Sequence, residues 1–158
     1  TFGGSGLDRA AHLRPQVDDI RQSKAARTIV LWRGKVLLDN RNAVARLPLD
    51  APMVATFSVD LIYLGQEENT PVFAADVSGW TPDGFDPDAP PVFLDDTRQT
   101  HPDLPDLAFA DIRAAMTLLS PRDAELAATA KAVMEWHRSH GFCARCGGPY
   151  PGVMPLPR

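Results

Sequence analysis

Cysteine is scarce in this chain: Cys143 and Cys146 are the two thiols among 158 residues. A disulfide framework in a small secreted domain uses more cysteines at wider spacings, so that class is excluded and a reducing cytoplasm is the expected setting. Long apolar runs are missing as well. No stretch approaches the ~20 residues a helix needs to cross a bilayer. Thr1 to Gly6 has neither the basic start nor the apolar core of a signal peptide. Excess positive charge is also lacking, and a formal net charge of -4 provides no global attraction for phosphate backbones or anionic lipid.

What is present suffices for a core. With 44% hydrophobic and 23% charged residues, the chain can form one ordinary globular domain plus an appendage, burying roughly 70% of its unfolded surface. Residues 1–27 read as irregular, with one short turn of helix, because Pro15 interrupts any helix begun at Asp8. From Thr28 the pattern changes. Ile29 to Trp32 and Lys35 to Leu38 are β-rich runs separated by Arg33-Gly34, which predicts a hairpin. Leu47-Pro48-Leu49 follows, then Ser58 to Gly65 and Pro71 to Val77, two further strands joined by the polar loop Gln66 to Thr70. An antiparallel sheet is the economical reading.

Between Ser78 and Pro105 prolines and aspartates accumulate, and only Val92-Phe93-Leu94 offers a short strand in what reads as a long surface loop. Asp83, Asp86, Asp88, Asp95 and Asp96 lack the alternating spacing and closing glutamate of a calcium loop, so a solvated loop is the default. Phe109 to Leu119 carries Ile112, Ala115, Met116 and Leu119 at helical spacing. A longer helix starts at Ser120-Pro121-Arg122-Asp123, where Ser120 can cap, Pro121 suits the first helical position and Asp123 favours the positive end of the dipole. Its stripe of Leu126, Ala130, Val133 and His137 predicts one packed side, and Gly141 ends it.

The helix runs directly into Phe142-Cys143-Ala144-Arg145-Cys146-Gly147-Gly148. Two thiolates two residues apart on a glycine-closed turn can point at one metal ion, but a structural tetrahedral zinc takes four protein ligands. Cys143 and Cys146 are therefore read as half of a site, which suggests a piece of a larger protein. A redox dithiol and unliganded thiols are the other readings. The redox reading is the weaker, because a thioredoxin-like motif opens a helix after a strand, whereas this one follows a helix. His137 and His140 lie upstream and are assigned packing or surface roles. Trp32, Trp80 and Trp136 are assigned to core or interface packing over base stacking. Arg138, Arg145 and Arg158 fit a solvated basic face as well as a phosphate contact.

Leu31 to Leu38, Leu64-Gly65, Phe73 to Val77, Asp111 to Ala115, and above all Ala130 to His137 followed by Phe142 to Gly147 resemble the bacterial NADH pyrophosphatases of the Nudix hydrolase superfamily, which also remove NAD caps from RNA. The resemblance implies an N-terminal Nudix-like domain without catalytic residues, a four-cysteine zinc ribbon, and a catalytic Nudix domain using Mg²⁺ or Mn²⁺. This chain is similar to the first and to half of the second. Expected boundaries are an irregular segment at 1–27, a Nudix-like α+β domain at 28–119, a connecting helix at 120–141, and a partial ribbon with tail at 142–158.

A second Cys-x-x-Cys does not follow Gly148. Nudix chemistry needs a helix that presents several glutamates to the metal ions against a pyrophosphate. Here the glutamates are Glu67, Glu68, Glu125 and Glu135, none in an Arg-Glu-x-x-Glu-Glu arrangement. No catalytic or cofactor-binding residue is assigned. The metal ligands are expected to be Cys143 and Cys146. The complete protein would cleave NADH into reduced nicotinamide mononucleotide and AMP, or act on NAD-capped RNA, as a homodimer with no membrane partner. This region would be architectural. The alternative is a non-enzymatic interaction module that completes a zinc site across a dimer.

Overall fold

The computed structural model describes residues 6–58, 60–86, 88, 95–143 and 145–149, and the β-rich runs form a six-stranded sheet flanked by helices. β1 (Arg27–Trp32) and β2 (Lys35–Asp39) pair antiparallel, with Leu31 opposite Val36. They turn at Arg33 and Gly34, whose φ values of 48° and 78° are the left-handed pair that a two-residue hairpin requires. β3 (Leu47–Pro48) pairs briefly with the start of β1. β4 (Leu61–Glu67) and β5 (Thr70–Asp76) form a second hairpin, turning through Glu68 and Asn69, also at positive φ. β6 (Leu107–Asp111) lies against β2, giving the order β4-β5-β1-β2-β6.

The α+β architecture agrees with the sequence reading, but three elements differ from it. β1 and β5 run parallel, from Arg27 opposite Val72 to Leu31 opposite Asp76. Both strands are buried on both faces, as central parallel strands usually are, so their sequences are continuous apolar runs that carry no mark of direction. The segment expected as a helix from Phe109 to Leu119 begins as β6. Only α3 (Ile112–Ala115) is helical, after Asp111 accepts the Arg113 N–H as a cap. Phe109 and Ala110 face opposite sides of the sheet, a period of two that overrides the helical spacing. The first segment holds a 3₁₀ turn at Ala11–Gln16 and α1 (Val17–Arg21), more helix than the single turn expected. The short strand expected at Val92 to Leu94 lies outside the described residues.

One further helix, α2 (Pro52–Phe57), is absent from the sequence reading; its sign was Pro52 at the first helical position with Met53 and Val54 buried behind it. α4 (Pro121–Ser139) starts as expected, with the Ser120 hydroxyl accepting the Asp123 N–H at 3.1 Å. The sheet has a core on each face. Ile29, Leu31, Val36, Leu38 and Ala74 pack under Leu126, Ala127 and Ala130 of α4, joined by Leu7. Val30, Trp32, Leu37, Ala75 and Phe109 pack on the other face with Met53, Val54 and Trp80. Among the described residues no helix is long and apolar enough to cross a membrane.

Candidate metal half-site

α4 carries the site out from the core. Its burial stops at Ala130, with Met134 packed partly against the sheet, and Glu135, Trp136, Arg138 and Ser139 are exposed. The helix closes with the His140 N–H donating to Trp136 O at 2.9 Å, and Ser139 Oγ donating to Glu135 O at 2.7 Å. Phe142 and Pro149 then pair across a small loop. Inside it, the Cys143 N–H donates to Gly148 O, and the Gly147 N–H to Cys143 O, each at 2.8 Å. Gly147 sits at φ 68°, where a side chain would be strained, so the glycine that follows the second cysteine allows the turn to close.

The turn aims backbone N–H groups at sulfur. Those of Arg145 and Cys146, with the Cys146 thiol, hold the Cys143 thiol below its ordinary pKa. Cys146 is exposed and Cys143 half-buried. Two thiols on one turn, with N–H donors favouring the charged form of Cys143, suit two of the four positions of a tetrahedral zinc. Among the described residues no group of three or more His, Cys, Asp or Glu side chains converges on a metal position.

The histidines have other work. The His140 ring stacks on Trp136 with centroids 5.3 Å apart and planes 14° apart, and its Nδ1 lies 2.9 Å from Ser139 Oγ and 3.1 Å from Trp136 O. His137 meets the same indole edge-on at 5.1 Å. These are the packing and surface roles expected of them. Trp32 and Trp80 are core residues, joined by a hydrogen bond from Trp32 Nε1 to Trp80 O at 2.9 Å. Trp136 is 40% exposed and Phe142 66%. Arg138 pairs with Glu135 at 2.6 Å, and Asp95 of the acidic loop pairs with Lys35 at 2.7 Å.

The four glutamates are dispersed. Glu67 and Glu68 sit at the β4–β5 turn, with Glu67 held by two of the three Arg46 guanidinium nitrogens at 2.7 and 2.9 Å, while Glu125 and Glu135 lie on α4. Sequence reasoning missed the network around Arg46, which also meets Asp123 at 2.6 Å. No short-range spacing could have revealed it, since its members come from three distant segments.

A Nudix-like α+β domain is the class this sheet and its helices define. Residues 25–136 match the family model of the NADH pyrophosphatase-like rudimentary NUDIX domain, and the chain belongs to that family. A 42-residue stretch is 45% identical to the human protein named NAD(P)H pyrophosphatase NUDT13, mitochondrial; it covers 27% of this chain and 12% of the human protein. The alignment spans only that small part of the relative's length.

Proposed function

We propose that this chain is the non-catalytic N-terminal region of an NADH pyrophosphatase, with an architectural role. The observation that carries this reading is the placement of its glutamates. A Nudix centre gathers several on one helix to hold divalent metal at a pyrophosphate, whereas Glu67 and Glu135 are tied into ion pairs with Arg46 and Arg138 on separate elements. In the complete protein, a catalytic domain using Mg²⁺ or Mn²⁺ would convert NADH to reduced nicotinamide mononucleotide and AMP, or remove NAD from capped RNA. α4 would join the rudimentary domain to a zinc ribbon, with Cys143 and Cys146 as its first two ligands, in a homodimer working in a reducing cytoplasm.

The test is direct hydrolysis. The purified chain is incubated with NADH and Mg²⁺ or Mn²⁺ while AMP and the mononucleotide are quantified. The expected result is no product from a chain whose fold is verified by circular dichroism. AMP release that tracks the chain through successive purification steps would overturn the proposal and direct attention to its aspartates.

A further inference from the structure

The loop between β5 and β6 holds a titratable group that neither the knuckle nor the Arg46 network uses. His101 is the one buried histidine among the described residues. Its Nδ1 accepts the Asp103 N–H at 3.1 Å, and its carbonyl accepts the Leu104 N–H at 2.9 Å. A main-chain N–H can only donate, so Nδ1 presents a lone pair and the ring proton sits on Nε2. The imidazole centroid lies 4.7 Å from that of Trp80 and 6.4 Å from that of Phe57 at the end of α2. Neither side chain is charged or offers the ring an acceptor. Among the described residues, the ionised group that faces it is Asp103, whose Oδ2 is 3.8 Å from Nδ1 on an exposed side chain. Two residues before His101, Gln99 exchanges hydrogen bonds with Phe109 of β6, at 3.1 Å from its N–H and 2.7 Å to its carbonyl. β2 occupies the other edge of β6, so Gln99 covers the outer edge of the sheet. His101 ties down the chain just beyond that cover.

We infer that His101 is a proton-operated latch on this cover. When acidification places a proton on Nδ1, that nitrogen can no longer accept the Asp103 N–H. It becomes a donor facing the Asp103 carboxylate, and a nearby carboxylate favours the charged ring. One residue thus offers two partners, its main chain to the neutral imidazole and its side chain to the imidazolium. The exchange moves the Asp103 peptide, and with it the neighbouring Leu104 N–H that is bonded to His101 O. Trp80 and Phe57 hold the ring in place while its polar partner changes. Loosening of residues 101–104 passes to Gln99, so the edge of β6 opens in acid and is covered at neutral pH. The latch depends on neither the zinc ligation nor the architectural role proposed above.

The experiment is a nuclear magnetic resonance titration of the whole chain between about pH 8 and about pH 5, the span in which histidine ordinarily changes charge. The His101 ring, the Asp103 amide and the Trp80 indole are followed together. Total fluorescence would not serve, because Trp136 stacks on another histidine, His140. The Asp103 amide and the Trp80 indole should move with the His101 ring. The hydrogen-exchange protection factor of the Phe109 N–H should fall roughly tenfold at the acid end, about the effect of one lost hydrogen bond. His101→Asn sets an amide oxygen in the place of Nδ1 and takes up no proton, so these changes should vanish. Asp103→Asn keeps the N–H and removes the carboxylate, so the transition should move to lower pH. The inference is overturned if the ring takes up no proton above about pH 5, or if the Asp103 amide stays fixed while the ring titrates. Equal protection of Phe109 at both ends, or a His101→Asn chain that titrates like the unsubstituted one, overturns it as well. A transition unaltered in Asp103→Asn refutes the exchange of partners on which the latch works. The unsubstituted chain decides the question by itself where a variant fails to fold.

Discussion

The carboxylate of Asp123 lies 2.6 Å from the guanidinium of Arg46, which also holds Glu67 through two hydrogen bonds of 2.7 and 2.9 Å. Asp123 accepts the Val44 N–H at 3.2 Å, and its own N–H donates to the Ser120 cap. One buried residue thus ties the first turn of α4 to the loop after β2, and through Arg46 to the end of β4. The Glu67 hydrogen bond, ahead of Asp123, keeps Arg46 charged well above the ordinary pH range of arginine.

Replacing Asp123 leaves Arg46 with one partner fewer and the Val44 N–H without an acceptor. Breaking a buried charge pair from one side typically costs about 3 kcal/mol or more. Asp123→Ala should therefore lower unfolding stability by about that amount, read from the midpoint of a denaturant titration at unchanged slope. A loss below ~1 kcal/mol would show that the pair is effectively solvent-screened.

Gly65 allows the N-terminal segment to approach the sheet edge. A Cβ there would lie 2.3 Å from Asp8 O, and the φ of 146° strains any side chain. Gly65→Ala should break the 2.7 Å hydrogen bond from the Gln66 N–H to Asp8 O. The destabilisation expected from strain of this kind is about 1–3 kcal/mol. Hydrogen exchange at Gln66 should accelerate more than at Ala74 in the protected centre of the sheet. Equal protection at Gln66 in the two proteins would refute this account.

The Lys35 hydrogen bond, then that of Thr97, lowers the Asp95 carboxyl to about 2 from its usual 3.8. A carboxylate depressed in the folded state contributes stability at pH values above its unfolded pKa and loses it as pH falls through the folded one. The relevant window is roughly pH 4 to 2. With 30% of the Asp95 side chain exposed, the contribution is on the order of 1 kcal/mol after solvent screening. Lys35→Met should flatten the pH dependence of stability within that window and leave its slope above pH 5 unchanged. An identical acid limb in both proteins would exclude the pair as its source.

The parts of this fold legible in sequence are those that local chemistry decides. Arg33-Gly34 announced a two-residue hairpin, and Ser120-Pro121-Arg122-Asp123 announced the start of α4. Thiol spacing and Gly147 marked the knuckle, and the expected roles of His137 and His140 agree with their contacts to Trp136. Nothing local reveals that β1 lies parallel to β5, because a strand buried on both faces has no polar side to report its neighbour's direction. β6 was hidden for a related reason. Its alternation lasts five residues and runs into α3, so the stripe of Ile112, Ala115 and Leu119 dominated the pattern. The Arg46 network was illegible since tertiary folding alone assembles it.

The position of the knuckle predicts how metal couples to stability. Metal-dependent small domains unfold when chelated because their ligands supply the core. Here the cores are built from the sheet, α2 and the first half of α4, while Cys143 and Cys146 lie beyond the exposed end of that helix. Zinc addition should shift amide resonances from Cys143 to Gly148 and change the fluorescence of Trp136. It should leave the thermal midpoint of the sheet within about 1 °C, far less than the several degrees that a 1 kcal/mol change produces in a domain of this size. Cys143→Ser should abolish the local changes. A rise of several degrees with zinc, lost in Cys143→Ser, would mean that the knuckle folds back onto the domain and contributes to its core.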